Sequence, residues 1–157
     1  MPHSSRIAWL CSPSACALLW LSGCSAPSAV PPASRFYPSA IPNAPFSAAV
    51  RAGDVVYLSG QIGLKPDGTL PAEFDEQARQ AMSNVSSVLQ EAGLSYDDVV
   101  KCTVMLADMT RWEDFNRIYV GYFKRERLPA RSALGANGLA KGALLELECL
   151  ARARAGS

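Results

Sequence analysis

The sequence predicts an α+β fold in which a single mixed β-sheet carries two helices on one face. Short segments of alternating polarity predict the strands, and two longer segments repeat apolar residues at helical spacing. Each helix is apolar along one stripe only, which favours both helices lying on the same side of the sheet. About half of the residues (49%) are apolar, which is enough for a core in a chain of 157 residues. The predicted order is ββαβαββ.

A hairpin and a helix open the predicted fold. The segment "FSAAVRAGDVVYLSGQIGL" predicts two strands joined by a turn at residues 52–54, and the Pro-Asp-Gly sequence at 66–68 has the composition of a second turn. Between residues 73 and 92 apolar side chains recur every three or four positions. Gly93 follows at the position where glycine commonly ends helices, so we expect the first helix to end there.

A strand and a second helix come next. The segment "DVVKCTVMLAD" alternates in polarity, and its predicted core face consists of Val100, Cys102, Val104 and Leu106. The second helix has an apolar side formed by six residues, namely Trp112, Phe115, Ile118, Tyr119, Tyr122 and Phe123. Pro129 ends this segment, because proline cannot continue a helix.

Two strands complete the domain, and the last of them has a mixed outer face. Its residues alternate, so that two glutamates and two leucines share the face turned away from the core: Glu146, Glu148, Leu144 and Leu150. A mixed face of this kind often belongs to a subunit interface. The sequence therefore predicts that another copy of the chain covers this side of the sheet.

The N-terminus has the features of a bacterial lipoprotein signal. Residues 1–23 contain a basic start and a short apolar core, and they end in the sequence LSGC, which resembles a lipobox. Cys24 is thus the predicted lipidation site, on the periplasmic side. A serine directly after the lipidated cysteine, here Ser25, resembles the pattern of lipoproteins that are transferred to the outer membrane. Residues 24–40 form a Pro/Ser/Ala tether, and the domain spans 41–157. The alternatives are an ordinary signal peptide or a start codon placed too early, which would leave the domain in the cytosol.

Removal of this signal would leave a chain without histidine and without net charge. His3 is the single histidine, and Arg6 is the only one of the 15 basic residues that precedes Cys24, so 14 basic residues face 14 acidic ones. Histidine triads and histidine metal sites are then excluded, and no basic surplus favours nucleic acid as a partner. We expect neither a metal nor a cofactor.

Two cysteines lie in the predicted folded part. Cys11 and Cys16 leave with the signal and Cys24 carries lipid, so Cys102 and Cys149 remain, both in apolar strand segments. They suit positions of buried small hydrophobic residues, or they pair as a disulfide in an oxidising compartment. The sequence leaves both possibilities open.

Arg131 interrupts the small and apolar segment "LPARSALG". One interpretation is a strand arginine that pairs with Glu146 or Glu148. The other is a binding residue, because a guanidinium offers a planar fork of donors to a carboxylate, and a nearby glutamate can orient water at the adjacent carbon. The second interpretation suits a small carboxylic acid as the ligand.

Four segments together resemble the RidA (YjgF-type) family of reactive-intermediate deaminases. They are "YLSGQIGLKPDGTL", "EQARQAMSNVSSVLQEAGLSYDDVVKCTVMLADM", "WEDFNRIYVGYF" and "LPARSALGANGLAKGALLELECLA", and the resemblance covers about residues 43–154. It implies a chorismate-mutase-like fold, a homotrimer and active sites between subunits. It also implies a deaminase without cofactor, which hydrolyses 2-imino or enamine acids to 2-oxo acids and ammonium.

The resemblance also implies roles for individual residues. Arg131 matches the arginine that binds the substrate carboxylate, and Glu146 matches the glutamate that positions the hydrolytic water. The remaining matches line the cleft between subunits, and they are Ser59, Gly60 and Asn116.

Two cleft positions depart from the family pattern. Phe46 stands where many relatives have a tyrosine, and Ala133 stands where many have a cysteine. We expect carboxylate binding to survive these changes, whereas they leave the substrate range open. The rival interpretations are a non-catalytic trimer that binds small acids or acts as a holdase, and an endoribonuclease or translation inhibitor, a label attached to relatives.

Overall fold

The computed structural model describes residues 33–154. The predicted signal at 1–23, the lipidation site Cys24 and residues 24–32 of the predicted tether lie outside the described residues, as do residues 155–157. Within the part that is described, no helix is long and apolar enough to cross a bilayer.

One seven-stranded sheet and two helices form the described part of the chain. The helices are α1 (Phe74–Glu91) and α2 (Trp112–Tyr119). The strands are β1 (Arg35–Pro38), β2 (Ser47–Ala52), β3 (Val55–Leu58), β4 (Gln61–Ile62), β5 (Val99–Leu106), β6 (Ala130–Gly135) and β7 (Leu145–Arg152). The order across the sheet is β1-β2-β3-β7-β5-β6, and β4 pairs with the first half of β7. The β5–β6 pair is parallel and the other pairs are antiparallel, which confirms the predicted mixed sheet.

Both helices pack on the same face of the sheet. On that face every second residue of the central strands is buried, for example Val104 in β5 and its partner Leu147 in β7. Met82 and Leu89 of α1 and Phe115 of α2 are buried in the same core. Each helix is apolar along one side because only that side meets the sheet.

The sheet begins before the predicted domain boundary at Ile41. Residues Arg35–Pro38, which we expected to belong to an extended tether, form strand β1 and pair with β2. Tyr37 points into the core and is only 5% exposed. The composition concealed this strand, because one buried aromatic residue beside Pro, Ser and Ala gives no alternating pattern.

The predicted core face of β5 is wrong at its first position. Val100 is 49% exposed, and Val99 is buried in its place. The pairing with β7 shifts register at this point. Such a β-bulge inserts one residue and reverses the alternation on one side of it. The other three predicted core residues of the strand are buried, namely Cys102, Val104 and Leu106.

Helix α1 fixes the segment that contains β4. The Asn84 side chain donates two hydrogen bonds of 2.9 Å, to the carbonyl oxygens of Ile62 and Leu64. Gly63 packs so closely on the helix that a Cβ at this position would lie 2.5 Å from the Gln77 carbonyl oxygen. These contacts hold β4 and its flanking residues against α1, while β4 itself pairs with β7.

Cys102 and Cys149 form a disulfide that joins β5 to β7. The two residues are directly paired across these strands, with Cα atoms 4.1 Å apart, and each is buried on the helix-covered face. Of the two possibilities that the sequence left open, the structure has the disulfide. The strand that carries Glu146 is therefore covalently linked to the strand beside Arg131.

Candidate active site

Arg131 lies on the face of the sheet that the helices cover. It pairs in register with Cys102, a core residue of β5. Its guanidinium carbon lies 4.4 Å from the centre of the Trp112 ring and 4.6 Å from that of Tyr119. Arg131 Nη2 donates a hydrogen bond of 2.7 Å to Asn116 Oδ1. Two of the predicted site residues, Arg131 and Asn116, are thus in direct contact.

Three residues of α2 hold this arginine because they occupy one side of the helix. Trp112, Asn116 and Tyr119 follow one another at spacings of four and three residues, which aligns them along the helix surface. The two rings contact the guanidinium, and the amide between them accepts its hydrogen bond. These three residues, Arg131 and Ala133 are referred to below as the arginine half-site.

The positive charge of Arg131 is not neutralised by these neighbours. Burial raises the pKa of Tyr119 to about 12, against the opposing effect of the arginine, so the phenol is uncharged near neutral pH. No carboxylate among residues 33–154 forms an ion pair with Arg131. Within one subunit the structure therefore does not have the pairing of Arg131 with Glu146 or Glu148. The guanidinium charge is available to an anionic ligand.

Glu146 lies on the opposite face of the sheet. It alternates in β7 with the buried Leu145 and Leu147, and it pairs with Met105 of β5. Successive side chains of a strand point to opposite faces, so Glu146 points away from the helices whereas Arg131 points toward them. A single subunit therefore keeps apart the two residues that were predicted to act on one substrate.

Gly60 provides the space in which the Glu146 carboxylate lies. A Cβ at position 60 would be 1.8 Å from Glu146 Oε1, so any other residue would collide with the carboxylate. Ser59 fixes this segment beside β2, because its Oγ donates to the Ser47 carbonyl oxygen at 2.7 Å and its N–H donates to that of Ala48 at 2.9 Å. Ser59, Gly60 and Glu146 are referred to below as the glutamate half-site.

The two positions that depart from the family pattern belong to different parts of the molecule. Ala133 follows Arg131 by two residues, on the same face of β6, and packs partly buried against the core. Phe46 directly precedes Ser47, the hydrogen-bond partner of Ser59, and is 49% exposed. Phe46 therefore lies next to a residue that contacts the glutamate half-site. About half of its surface is exposed and can contact a ligand or another subunit.

Trp112 and Tyr119 are site candidates that sequence reasoning missed. The helical period placed them on an apolar side, and Tyr119 is indeed only 3% exposed. The signal that could have distinguished them is Asn116, a polar residue on the same line of the helix. A polar residue between two aromatic ones at this spacing suits contact with a planar cation, which is the guanidinium group of an arginine.

The two half-sites have complementary chemistry. The guanidinium can bind a carboxylate through charge-assisted hydrogen bonds, and the glutamate can accept a proton from water. Together they would hold a small acid and activate water beside it. Because they lie on opposite faces of one sheet, the two half-sites do not meet within one copy of the chain.

Comparisons with known proteins identify the family. The profile of the family described as Endoribonuclease L-PSP matches residues 38–153. A Mus musculus protein named 2-iminobutanoate/2-iminopropanoate deaminase is 40% identical over 109 residues, which cover 68% of this chain and 80% of the mouse protein. The structure of the Rid-family protein YyfA from Yersinia pestis is similar with a TM-score of 0.71 and 36% identity, over 76% of this chain and 99% of YyfA. That of TdcF from E. coli, solved with bound serine, has a TM-score of 0.67 and 35% identity, over 76% and 94% of the two chains. The chain therefore belongs to the Endoribonuclease L-PSP family, which includes the RidA-type proteins that its motifs resemble.

Proposed function

We propose that the protein hydrolyses reactive 2-imino and enamine acids to 2-oxo acids and ammonium. The observation that carries the proposal is the Arg131 guanidinium, which α2 holds without a carboxylate partner in the described part of the chain. An arginine held in this way suits a ligand with a carboxylate. The mouse relative is named for 2-iminobutanoate and TdcF was solved with serine, and both of these small acids carry nitrogen on the carbon beside the carboxylate.

The site is proposed to form between subunits of a homotrimer. Besides the separation of the half-sites, the open face of the sheet supports this assembly. Register aligns four apolar side chains across that face: Phe36, Val50, Tyr57 and Leu150. Phe36 and Tyr57 are 66% and 49% exposed, and such a row is expected to be covered by another copy. Three copies related by a threefold axis have three equivalent contacts, and the family resemblance implies this number.

The proposed reaction needs placement and proton transfer but no redox step. Arg131 of one copy binds the carboxylate of the 2-imino acid, and Glu146 of another accepts a proton from water. The water oxygen bonds to the imine carbon, and the C=N π electrons move to the nitrogen, which takes up a proton. Collapse of this carbinolamine forms the C=O bond, breaks the C–N bond and releases ammonia, which is protonated in water. An enamine enters the same path once protonation at carbon converts it to the imine.

Two rival functions predict different results. A non-catalytic trimer would bind small acids without converting them, and an endoribonuclease would cleave RNA with a strong dependence on salt. The chain has 15 basic and 14 acidic residues, so it offers no overall electrostatic attraction for RNA. We therefore propose the deaminase and expect no nucleic acid partner.

Hydrolysis of freshly generated 2-iminobutanoate tests the proposal. The parent protein should form 2-oxobutanoate faster than buffer alone. Arg131→Ala should lose roughly 1.5 to 3 kcal/mol of carboxylate binding, or about 10- to 150-fold in kcat/KM. Arg117→Ala is the control, since the Arg117 side chain is 67% exposed on α2. If the parent binds 2-oxobutanoate but does not hydrolyse 2-iminobutanoate, the non-catalytic rival is favoured. Full activity of Arg131→Ala would contradict the mechanism.

We further propose that the chain is exported and anchored through lipid on Cys24, on the periplasmic side of the outer membrane. The buried disulfide between Cys102 and Cys149 supports an oxidising compartment, because cytosolic thiols are kept reduced. Intact mass spectrometry of the full-length protein from a bacterium with an outer membrane is the test. Lipid should be found on Cys24, and Cys24→Ser should remain an uncut precursor. An unmodified soluble chain that starts at Met1 would instead place the domain in the cytosol.

A further inference from the structure

The contacts of the Arg131 guanidinium leave a defined part of it open. Trp112 and Tyr119 lie with their ring centres 4.4 and 4.6 Å from its carbon, and Asn116 accepts one hydrogen from Nη2. A guanidinium has five N–H donors, all in its plane, and arginine stacks on aromatic rings through its flat side. Rings at these distances are expected to stack on the faces of the group, and no residue of the described part of the chain accepts a hydrogen bond from its remaining donors.

The two rings are fixed to different degrees. Tyr119 is almost fully buried and packs against the rings of Phe115 and Phe123, whose centres are 5.5 and 4.7 Å away. The core therefore determines its position. Trp112 is the first residue of α2 and is only partly buried at the margin of the core. Its ring can be replaced with less loss of core packing, so its effect on the arginine can be measured separately.

We propose that Trp112 is a positioning residue that fixes the plane of the Arg131 guanidinium and so makes the site selective for planar carboxylates over tetrahedral anions. This inference rests on the proposed function, because it concerns the residue that would bind the substrate carboxylate. A carboxylate in the plane of the guanidinium accepts two parallel hydrogen bonds. A sulfonate of equal charge is tetrahedral, so when two of its oxygens accept those bonds the third projects out of the plane, toward the space that a ring occupies.

A purely structural role for Trp112 predicts a different result. In that case its loss would lower stability without changing the recognition of anions. Tyr122 offers a matched comparison, because its ring packs against Tyr96 with centres 5.4 Å apart and does not contact Arg131. Replacement of either residue by leucine removes one partly buried aromatic ring from the same region of the core.

Calorimetry on the full-length protein can measure the Kd values of 2-oxobutanoate and ethanesulfonate. Trp112→Leu should weaken 2-oxobutanoate binding roughly 2- to 30-fold and bring the two Kd values closer together. Trp112→Phe retains a ring face, so it should restore most of the affinity and selectivity. Parent-like binding by Trp112→Leu would overturn the inference, and so would an equal loss in Tyr122→Leu.

A fluorescence measurement keeps the inference testable if Trp112→Leu does not fold. Subtraction of the Trp112→Phe spectrum from that of the parent removes the emission of Trp9 and Trp20 and leaves that of Trp112. This difference signal should change when 2-oxobutanoate is added to the parent. In the Arg131→Ala background, addition of 2-oxobutanoate should leave the Trp112 signal unchanged. A signal that does not respond to the ligand would count against Trp112.

These measurements separate the inference from the proposed activity, because none of them involves turnover. A parent protein that binds 2-oxobutanoate in a Trp112-dependent manner but does not hydrolyse 2-iminobutanoate would contradict the deaminase and support the positioning role. Hydrolysis with unchanged KM in Trp112→Leu would contradict the positioning role alone. A parent that does not bind 2-oxobutanoate would overturn the inference.

Discussion

Glu146 Oε1 lies 1.8 Å from the point where any residue other than glycine at position 60 would place its Cβ. Gly60 is therefore required for the position of the carboxylate and not only for the path of the chain. The hydrogen bonds of Ser59 to the backbone of β2 hold this segment in place. The orientation of Glu146 on β7 thus depends on a segment that is distant in the sequence.

Gly60→Ala should displace the Glu146 carboxylate while the fold is largely retained, because the end of a flexible side chain moves more easily than backbone. We expect kcat for 2-iminobutanoate to fall roughly 10- to 100-fold, part of the contribution of a general base. Gly121→Ala is the matched control, since a Cβ there meets nothing within 4 Å. Circular dichroism checks the fold, and equal kcat values for the two variants would show that this contact does not orient the base.

Glu146→Gln should remove proton acceptance while it keeps the shape of the side chain. We expect kcat to fall roughly 10²- to 10⁴-fold, with a much smaller change in the Kd of 2-oxobutanoate, whose carboxylate is proposed to bind Arg131. Glu148→Gln is the control, because Glu148 shares the open face of β7 but pairs with Thr103, outside the glutamate half-site. Equal losses in both variants would mean that Glu146 is not the base.

Alternation in the sequence predicted the faces of regular strands and failed where pairing is irregular. In β7 the predicted outward face of Glu146 and Glu148 is confirmed, because the residues that alternate with them, Leu145 and Leu147, are buried. In β5 the bulge turns Val100 outward, because a polarity pattern cannot reveal where the partner strand skips a residue. The sequence did not predict strand β1. Its place in the sheet depends on the packing of one residue, Tyr37, against a core formed by distant segments of the chain.

The relationship between Arg131 and Glu146 could not be predicted from the sequence. Strand β6 has small residues on both faces, with Ala130 and Ser132 alternating with Arg131 and Ala133, so its pattern does not show which face meets the core. Contact with α2 decides this, and that contact follows from the parallel pairing of β6 with β5. The resemblance identified the other residues of the two half-sites but not Trp112 and Tyr119. The separation of the half-sites required the strand order.

Reduction of the disulfide between Cys102 and Cys149 should destabilise the domain. The bond spans a sequence separation of 47 residues. Chain-entropy arithmetic gives about 4 kcal/mol for a loop of this length. Urea unfolding with and without dithiothreitol measures the difference, and the double variant with Cys102→Ala and Cys149→Ala should show no effect of the reductant. A midpoint that dithiothreitol does not change in the parent would contradict the prediction.

Asp98 should make the free energy of unfolding depend on pH in the acid range. Partial burial alone would raise the pKa of Asp98, but hydrogen bonds from Arg154 and Ser95 lower it. Arg154 binds both carboxylate oxygens, at 2.9 and 2.6 Å. A lowered pKa in the folded state stabilises the domain above the pKa of the unfolded chain, about 4, and this contribution is lost as pH falls through the folded value.

Asp98→Asn should therefore lower the free energy of unfolding by about 1 kcal/mol at pH 7 and by progressively less as the pH falls below about 4. Urea unfolding of the parent and the variant at several pH values measures the difference. Asp67→Asn is a control for a carboxylate whose lowered pKa comes from hydrogen bonds with Thr69 in an exposed turn, without an arginine partner. A difference between parent and Asp98→Asn that does not change with pH would contradict the linkage.

Two variants that are each strongly impaired alone should recover activity when they share a trimer. In the proposed mechanism Arg131→Ala lacks the carboxylate-binding residue and Glu146→Gln lacks the base, so a trimer of either variant would have no complete site. In a trimer with both kinds of chain, one contact joins an intact Arg131 to an intact Glu146 from a different chain. Co-expression with two different tags and purification through both tags isolates these mixed trimers, and we expect about a third of the parent activity. If both residues of a site came from one chain, every site would carry a defect, and the mixed trimers would be no more active than the single variants.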